Sequence, residues 1–429
     1  MANTAFGEVT RRDHFAFAPG YRPLNHGSFG TFPKAVAEYQ RQLQLEMEAR
    51  PDTFLRYSYP KLLLEARAAI APLIGAHTDE VVFVPNATTG INTVLHNLAF
   101  EDGDVVVHFN TIYGGCLKSI QYLGETTPAT SHSIQITYPI EDDEIVRLFK
   151  EAVQSIQAQG RAVKLAVFDT VLTSPGVRFP WEPLVKLCKD LGVRSFVDGA
   201  HGLGHIDLTH LGELKPDFMI SNCYKWLMVP RGCAVLYVPF SNQHMIRTTV
   251  PTSLGYEAPA VRSTMTTTEY FVRLFVRVST HDTTPYACVP AALAFRRDTC
   301  GGEARVREYC EEVAREGGRR VAEVLGTEVL ENGARTLGRC CFTNVRLPLS
   351  LSGLALAEPE GAKVASWIQD RTAEYETYMP IRLSAGKFWS RLSGQIYLTV
   401  DDFEWAAKTL LELCRRVEAG EWRESPRHV

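Results

Sequence analysis

Apolar positions along the chain fall into two alternating periods. Short runs rich in β-branched and aromatic residues, Val81 to Val84, Asp104 to Phe109, Leu165 to Asp169, Ser195 to Asp198, Phe218 to Ile220 and Ala234 to Val238, are bounded by turn residues and predict strands. Between them the spacing lengthens to that of a helix. Pro33 opens an amphipathic stretch to about Glu48 with Val36, Leu43 and Met47 on one face, and Lys61 to Ile74 forms another that stops at Gly75. Ile91, Val94, Leu95 and Leu98 mark a third, and further helices are predicted near Glu141 to Gln159 and from Trp181 to Leu191. Strand followed by helix, repeated, predicts an α/β fold with a mostly parallel sheet.

The pattern changes after Pro239. Periodicity is weak until Phe271, and the threonine-rich stretch Thr252 to Thr268 reads as a loop over the active site. From about Val289 a helix over Ala304 to Leu325 and a strand around Phe342 to Leu347 predict a smaller α+β domain. The expected division is therefore an N-terminal segment at 1–32, a large domain at 33–288 and a small domain at 289–429. A chain of 429 residues is long enough for two such cores.

Composition narrows the function classes. With 45% hydrophobic and 22% charged residues the chain is globular, and a net charge of −4 without a lysine or arginine block gives no reason to expect nucleic acid or membrane partners. The start of the chain lacks a basic-then-apolar signal pattern and no apolar run reaches the roughly 20 residues that span a bilayer, so a cytoplasmic location is expected. The 10 cysteines are scattered without a CxxC pair, which predicts reduced, packed thiols and no metal.

The candidate chemistry lies in two strand ends. In Asn222-Cys-Tyr-Lys-Trp226 a single lysine stands between two aromatic residues, where loss of hydration lowers the cost of its neutral amine and lets it attack an aldehyde; an ordinary loop lysine lying over Trp226 is the alternative. One strand earlier, Asp198-Gly-Ala-His201 puts a carboxylate at a strand's carboxyl end, where open α/β sheets bind ligands. A pyridoxal 5'-phosphate (PLP) enzyme needs both groups: a lysine to bond the aldehyde, and an acid to keep the pyridine nitrogen protonated. Pro85-Asn-Ala-Thr-Thr-Gly90 opens a helix with small hydroxyl residues, suited to a phosphate or to an N-cap alone. Tyr113, just past a strand and followed by glycines, is placed to lie against a ring or to pack in the core.

Together, Asp198-Gly-Ala-His201, Asn222-Cys-Tyr-Lys-Trp226 and Arg231-Gly232 resemble the class V aminotransferase family of fold-type I PLP enzymes, and the likeness runs from Leu24-Asn-His-Gly-Ser-Phe-Gly30 to Arg391-Leu-Ser-Gly-Gln-Ile-Tyr397. The resemblance implies a large domain with a seven-stranded, mostly parallel sheet sandwiched by helices, and a smaller C-terminal domain. It implies PLP held by Ala87, Thr88, Thr89, Tyr113, Thr173, Asp198, His201, Asn222, Tyr224 and Lys225. Thr280 is implied to reach the neighbouring subunit's cofactor phosphate, hence a homodimer with shared active sites. Tyr224 stands where the family has a histidine, and Thr173 where desulfurases have an asparagine. Substrate contacts are implied for Asn25 and His26, and for Arg391, whose planar fork pairs with a carboxylate. Arg56 either reaches a distal carboxylate or forms a surface ion pair.

In the reaction so implied, Lys225 removes the α-proton of a small amino-acid-derived substrate, with Asp198 supporting the electron sink. No cysteine lies between Arg382 and Ser390, which speaks against a desulfurase. The remaining pattern, including Asn25-His-Gly-Ser28 and Val229-Pro-Arg-Gly232, is similar to the carbon–sulfur lyase branch that cleaves hercynylcysteine sulfoxide-type conjugates in ergothioneine biosynthesis to a sulfenate or thiol, pyruvate and ammonia, with Tyr113 as the acid. The alternative is the related branch of PLP cyclases of loline alkaloid biosynthesis.

Overall fold

The computed structural model describes residues 5–423. Two compact units emerge, a large one from 30–173 and 179–297, and a small one from Met1–Phe29, Ser174–Arg178 and Asp298–Val429. The boundaries fall at 29/30 and 297/298, where the sequence drew them at 32/33 and 288/289, and residues 174–178 form a small-unit excursion that nothing in the hydropathy pattern signals.

In the large unit seven strands form one sheet: β1 (Val81–Val84), β2 (Asp104–Phe109), β3 (Thr130–Ile134), β4 (Ala162–Asp169), β5 (Arg194–Asp198), β6 (Phe218–Asn222) and β7 (Ala234–Tyr237), in the order β1-β7-β6-β5-β4-β2-β3. From β3 to β6 all pairs are parallel, while β7 runs antiparallel to both β6 and β1. The central strands are buried along their length, which is why they read as continuous apolar runs. β3 escaped the sequence reading because it is an edge strand, Thr-Ser-His-Ser-Ile, with only Ile134 buried.

The longer helices of this unit are α1 (Lys34–Ala49), α2 (Tyr59–Ile70), α3 (Ala87–Asn97), α4 (Gly114–Thr126), α5 (Asp142–Ala158), α6 (Trp181–Asp190) and α7 (Thr267–Val276). On one sheet face Ile91, Val94 and Leu95 of α3 join Ile120 of α4, Phe271 and Phe275 of α7, and Val82, Val106, Val167 and Ile220 from the strands in a single apolar core. Emptying one such position to alanine costs about 2–5 kcal/mol. The threonine-rich stretch expected to be loop up to Thr268 contains a short helix, Pro259–Arg262, and gives way to α7 at Thr267. Thr266 is the reason: its hydroxyl accepts the Glu269 N–H while the Glu269 carboxylate accepts the Thr266 N–H, so threonines that look like loop composition are a capping box.

The small unit holds a three-stranded antiparallel sheet, β8 (Phe342–Ser350), β9 (Ile381–Ser384) and β10 (Lys387–Ser393), in the order β8-β10-β9. Its longer helices are α8 (Glu303–Leu325), α9 (Glu358–Arg371) and α10 (Val400–Glu418). Among the described residues no helix is long and apolar enough to cross a membrane.

Candidate active site

The carboxyl ends of β4, β5 and β6 lie side by side in the large unit, and the candidate chemistry collects there. β6 ends at Asn222 and passes directly into a single helical turn, Cys223–Trp226, which carries Lys225. Gly30 closes over this turn with φ +61°; a Cβ there would sit 1.8 Å from the Tyr224 carbonyl oxygen, so only glycine lets the chain approach so closely. Arg231 Nη1 then donates to the Gly30 carbonyl at 3.0 Å. Beneath the turn, Arg296 is wholly buried and donates to the carbonyl of Trp226 at 3.0 Å.

Lys225 Nζ lies 3.2 Å from His201 Nε2, which is also 3.1 Å from Thr173 Oγ1. On the other side of the imidazole, Trp226 Nε1 donates to His201 Nδ1 at 3.1 Å. Lys225, His201 and Thr173, named from three separate stretches of sequence, are thus one cluster.

Asp198 ends β5 and Asp169 ends β4, and the two are direct partners in the register. Asp198 Oδ1 accepts the Ala200 N–H at 2.9 Å and Oδ2 accepts the Cys116 thiol at 3.1 Å. Burial raises both carboxyls above the ordinary range; the neighbouring Asp198 charge raises Asp169 further, while Lys225 opposes the rise in each. Asp198 accepts two donors that favour its carboxylate form, so burial raises it less than it raises Asp169. The Cys116 thiol is pushed up by burial first and by Asp198 second, which keeps it a donor.

The turn before α3 binds to the same strand ends. Asn86 caps the helix by accepting the Thr89 N–H at 2.9 Å, and the Ala87 N–H is given to Asn222 Oδ1 at 2.9 Å. Ala87 and Thr89 thus give their N–H groups to the two asparagines, and the side chains of Thr88 and Thr89 stand exposed at the helix start. Asn222 likewise serves to tie the lysine turn to the α3 turn. Tyr113 precedes α4, is 46% exposed, and its ring lies over Gly115, where a Cβ would be 2.7 Å from the ring. Tyr224 is half-buried, its phenol pushed up to about 12 by burial first and by Tyr113 and Asp198 next, so it is a neutral hydroxyl where the family has a titratable imidazole. Thr280 is exposed. Arg56 is exposed and paired with Asp52 at 2.9 Å on its own helical turn, the surface ion pair of the two alternatives.

The small unit assembles its own cluster around Arg391 of β10. The guanidinium is buried, packs 4.6 Å over the Phe342 ring, and donates through Nη2 to Asn25 Oδ1 at 2.8 Å and to Ser28 Oγ at 3.0 Å. Gly176 makes room for its stem, since a Cβ would meet Arg391 Cδ at 2.6 Å. Burial lowers Arg391 to about 10, which leaves it cationic at neutral pH. His26 is buried, with its Nδ1 2.6 Å from the Tyr397 hydroxyl. Asn25 thus holds the arginine expected to fix a carboxylate.

Asp169, Cys116, Trp226, Ser28 and Arg296 were not singled out as site residues from sequence. The signal available for Asp169 was its place at a strand end one strand before Asp198; the others depend on contacts that sequence spacing does not show.

A lysine on a turn after one strand and a carboxylate at the end of its neighbour, with a capped helix start and an exposed aromatic beside them, suit PLP: amine for aldehyde, anion for pyridinium, hydroxyls and dipole for phosphate. This is the construction of a fold-type I PLP-dependent enzyme. Residues 41–271 match the aminotransferase class-V family, and the chain belongs to it, with PLP as its cofactor. It is 40% identical to the L-cysteine desulfhydrase-like protein lolT1 of Epichloe uncinata over 94% of this chain and 95% of that one. To the hercynylcysteine sulfoxide lyase of Schizosaccharomyces pombe it is 32% identical over 96% of this chain and 99% of the relative. Among solved structures, the cystine C-S lyase C-DES superposes with TM-score 0.71 at 18% identity, covering 92% of this chain and 98% of that one, which shows a shared fold. The protein is therefore a class V PLP enzyme with carbon–sulfur lyase and desulfhydrase relatives.

Proposed function

We propose that the enzyme is a carbon–sulfur β-lyase that cleaves a cysteine-sulfoxide conjugate of the hercynylcysteine sulfoxide type to a sulfenate, pyruvate and ammonia, the sulfenate passing to the thiol only by reduction with an external thiol. The observation that carries this reading is the state of sulfur in the chain: all ten cysteines are buried. A desulfurase needs an accessible thiolate to take up sulfur, whereas β-elimination needs only a base, an electron sink and an acid for the leaving group. The named chemistry of the two relatives, a sulfoxide lyase and a desulfhydrase-like protein, points the same way.

In this reading bound PLP supplies the electron sink. Lys225, as amine, takes the substrate's α-proton; Asp198, ionised, holds the positive charge of the ring nitrogen; Arg391 fixes the α-carboxylate with its planar fork. The β-carbon–sulfur bond breaks with its electron pair on sulfur, and Tyr113 gives that sulfenate a proton. Water completes the conversion of the remaining three-carbon fragment to pyruvate and ammonia. We also assign a homodimeric, cytoplasmic form in which Thr280 serves the neighbouring subunit's site.

Purified, PLP-loaded protein given hercynylcysteine sulfoxide should release pyruvate in a coupled assay. Lys225→Ala should abolish both pyruvate and the cofactor's near-visible band, and Tyr113→Phe should slow turnover roughly a hundredfold or more, the usual weight of a proton donor. If no pyruvate forms while amino acids still shift the cofactor spectrum, ring formation from the same carbanion, the cyclase alternative, replaces the lyase.

A further inference from the structure

The contact between Trp226 and His201 has a consequence for Lys225. An indole N–H only donates, so the Trp226 Nε1 bond of 3.1 Å requires a lone pair on His201 Nδ1. The imidazole is then neutral with its proton on Nε2, the atom that faces Lys225 Nζ at 3.2 Å and Thr173 Oγ1 at 3.1 Å. An ammonium has donors and no lone pair, so it cannot pair with Nε2–H; a neutral amine can accept from it. The imidazole cannot swing out of this arrangement easily. His201 and Trp226 are both about 1% exposed, the His205 ring lies 4.0 Å from the indole, and the Trp226 carbonyl is held by Arg296.

We propose that Trp226 is a positioning residue which, by fixing the tautomer of His201, presents an N–H to Lys225 and so favours its nucleophilic amine over the ammonium. Such a device has opposition to overcome. Asp198 from β5 interacts with Lys225 in the sense that favours its charge, and Asp169 from β4 and Cys116 from α4 do so only when ionised, which burial opposes in both. Tyr113 and Arg231 face Tyr224 beside it. With carboxyls on two sides, a donor fixed on the third keeps the amine available for the cofactor's aldehyde. Without the indole, His201 would take the other tautomer and accept from the ammonium instead. This role needs only the PLP chemistry of the family and is independent of which substrate the enzyme takes.

The test uses the full chain freed of cofactor and PLP itself as the probe, measuring the rate of covalent capture by Lys225 across pH from its absorbance. In Trp226→Phe the midpoint of that profile should move up by about one unit, with capture roughly tenfold slower below both midpoints and the high-pH limit kept. A merely structural loss would lower the rate at every pH alike, and an unmoved midpoint overturns the proposal. Should Trp226→Phe fail to fold, nitrogen NMR of histidine-labelled, cofactor-free wild type decides the matter, with His201 assigned by its loss in His201→Gln. A proton on Nε2 that persists from pH 6 to 9 supports the device, and a proton on Nδ1 overturns it. Failure of the pyruvate assay would leave both readouts standing, so the two hypotheses fall separately.

Discussion

At Arg391 a guanidinium is buried among an amide oxygen, a hydroxyl and a phenylalanine ring, so its direction depends on two neutral acceptors. Removing one should loosen the fork without touching the reacting atoms. Asn25→Ala is expected to raise KM about tenfold to a hundredfold, the worth of a hydrogen bond to a charged group, with kcat largely kept. Steady-state kinetics on the sulfoxide checks this, and an equal fall in kcat with KM unchanged would place Asn25 in the chemical step instead. Lys225 and Asp198 could be proposed from sequence because they stand at successive strand ends with the two groups that PLP needs, whereas Arg391 was proposed only through the family motif around it. His26, next to Asn25 in the same motif, has its Nδ1 against the Tyr397 hydroxyl; one residue along a helical turn points to another face, and a glycine-rich motif does not say which.

At the scale of elements the informative fact is the pairing of β4 with β5. It sets Asp169 beside Asp198, and no pattern along one strand could show that. The consequence is a pH dependence whose sign is fixed. Asp169 has a folded value above its ordinary one of about 3.9, so between those two values the native chain binds more protons than the unfolded chain, and stability falls as pH rises through that window. Asp169→Asn removes the cost. In cofactor-free protein its melting temperature should match wild type near pH 4 and exceed it by a growing margin toward neutral pH; a margin constant across pH would refute the assignment. The strands and most helices were legible because burial on both faces leaves an unbroken apolar run. β3 and the start of α7 were not, since an edge strand and a threonine cap carry loop-like composition. The five-residue π-helical turn Phe54–Ser58, between α1 and α2, was likewise not drawn from the sequence.

For the whole molecule, a homodimer is the expectation that reaches furthest. Leu45, Tyr57, Leu64 and Val250 of the large unit are each more than half exposed, apolar surface of the kind that association removes from water. Light scattering of the PLP-loaded protein should give twice the 47.9 kDa chain mass at micromolar concentration, and a monomer that still turns over would refute the shared-site assignment of Thr280. Two units were expected from chain length, the smaller from about Val289; the small-unit excursion at 174–178 was not, because five residues carry no period. The burial of every cysteine has one more bearing. A lyase of this kind sheds a sulfenate, and a sulfenic acid condenses with any thiol it meets to leave a mixed disulfide. A catalyst with a sulfhydryl on its surface would be capped by its own product within some number of turnovers. With its ten thiols buried, the protein is built so that the sulfenate of the proposed reaction would meet no sulfhydryl on its surface, and capping by product would wait on opening of the fold.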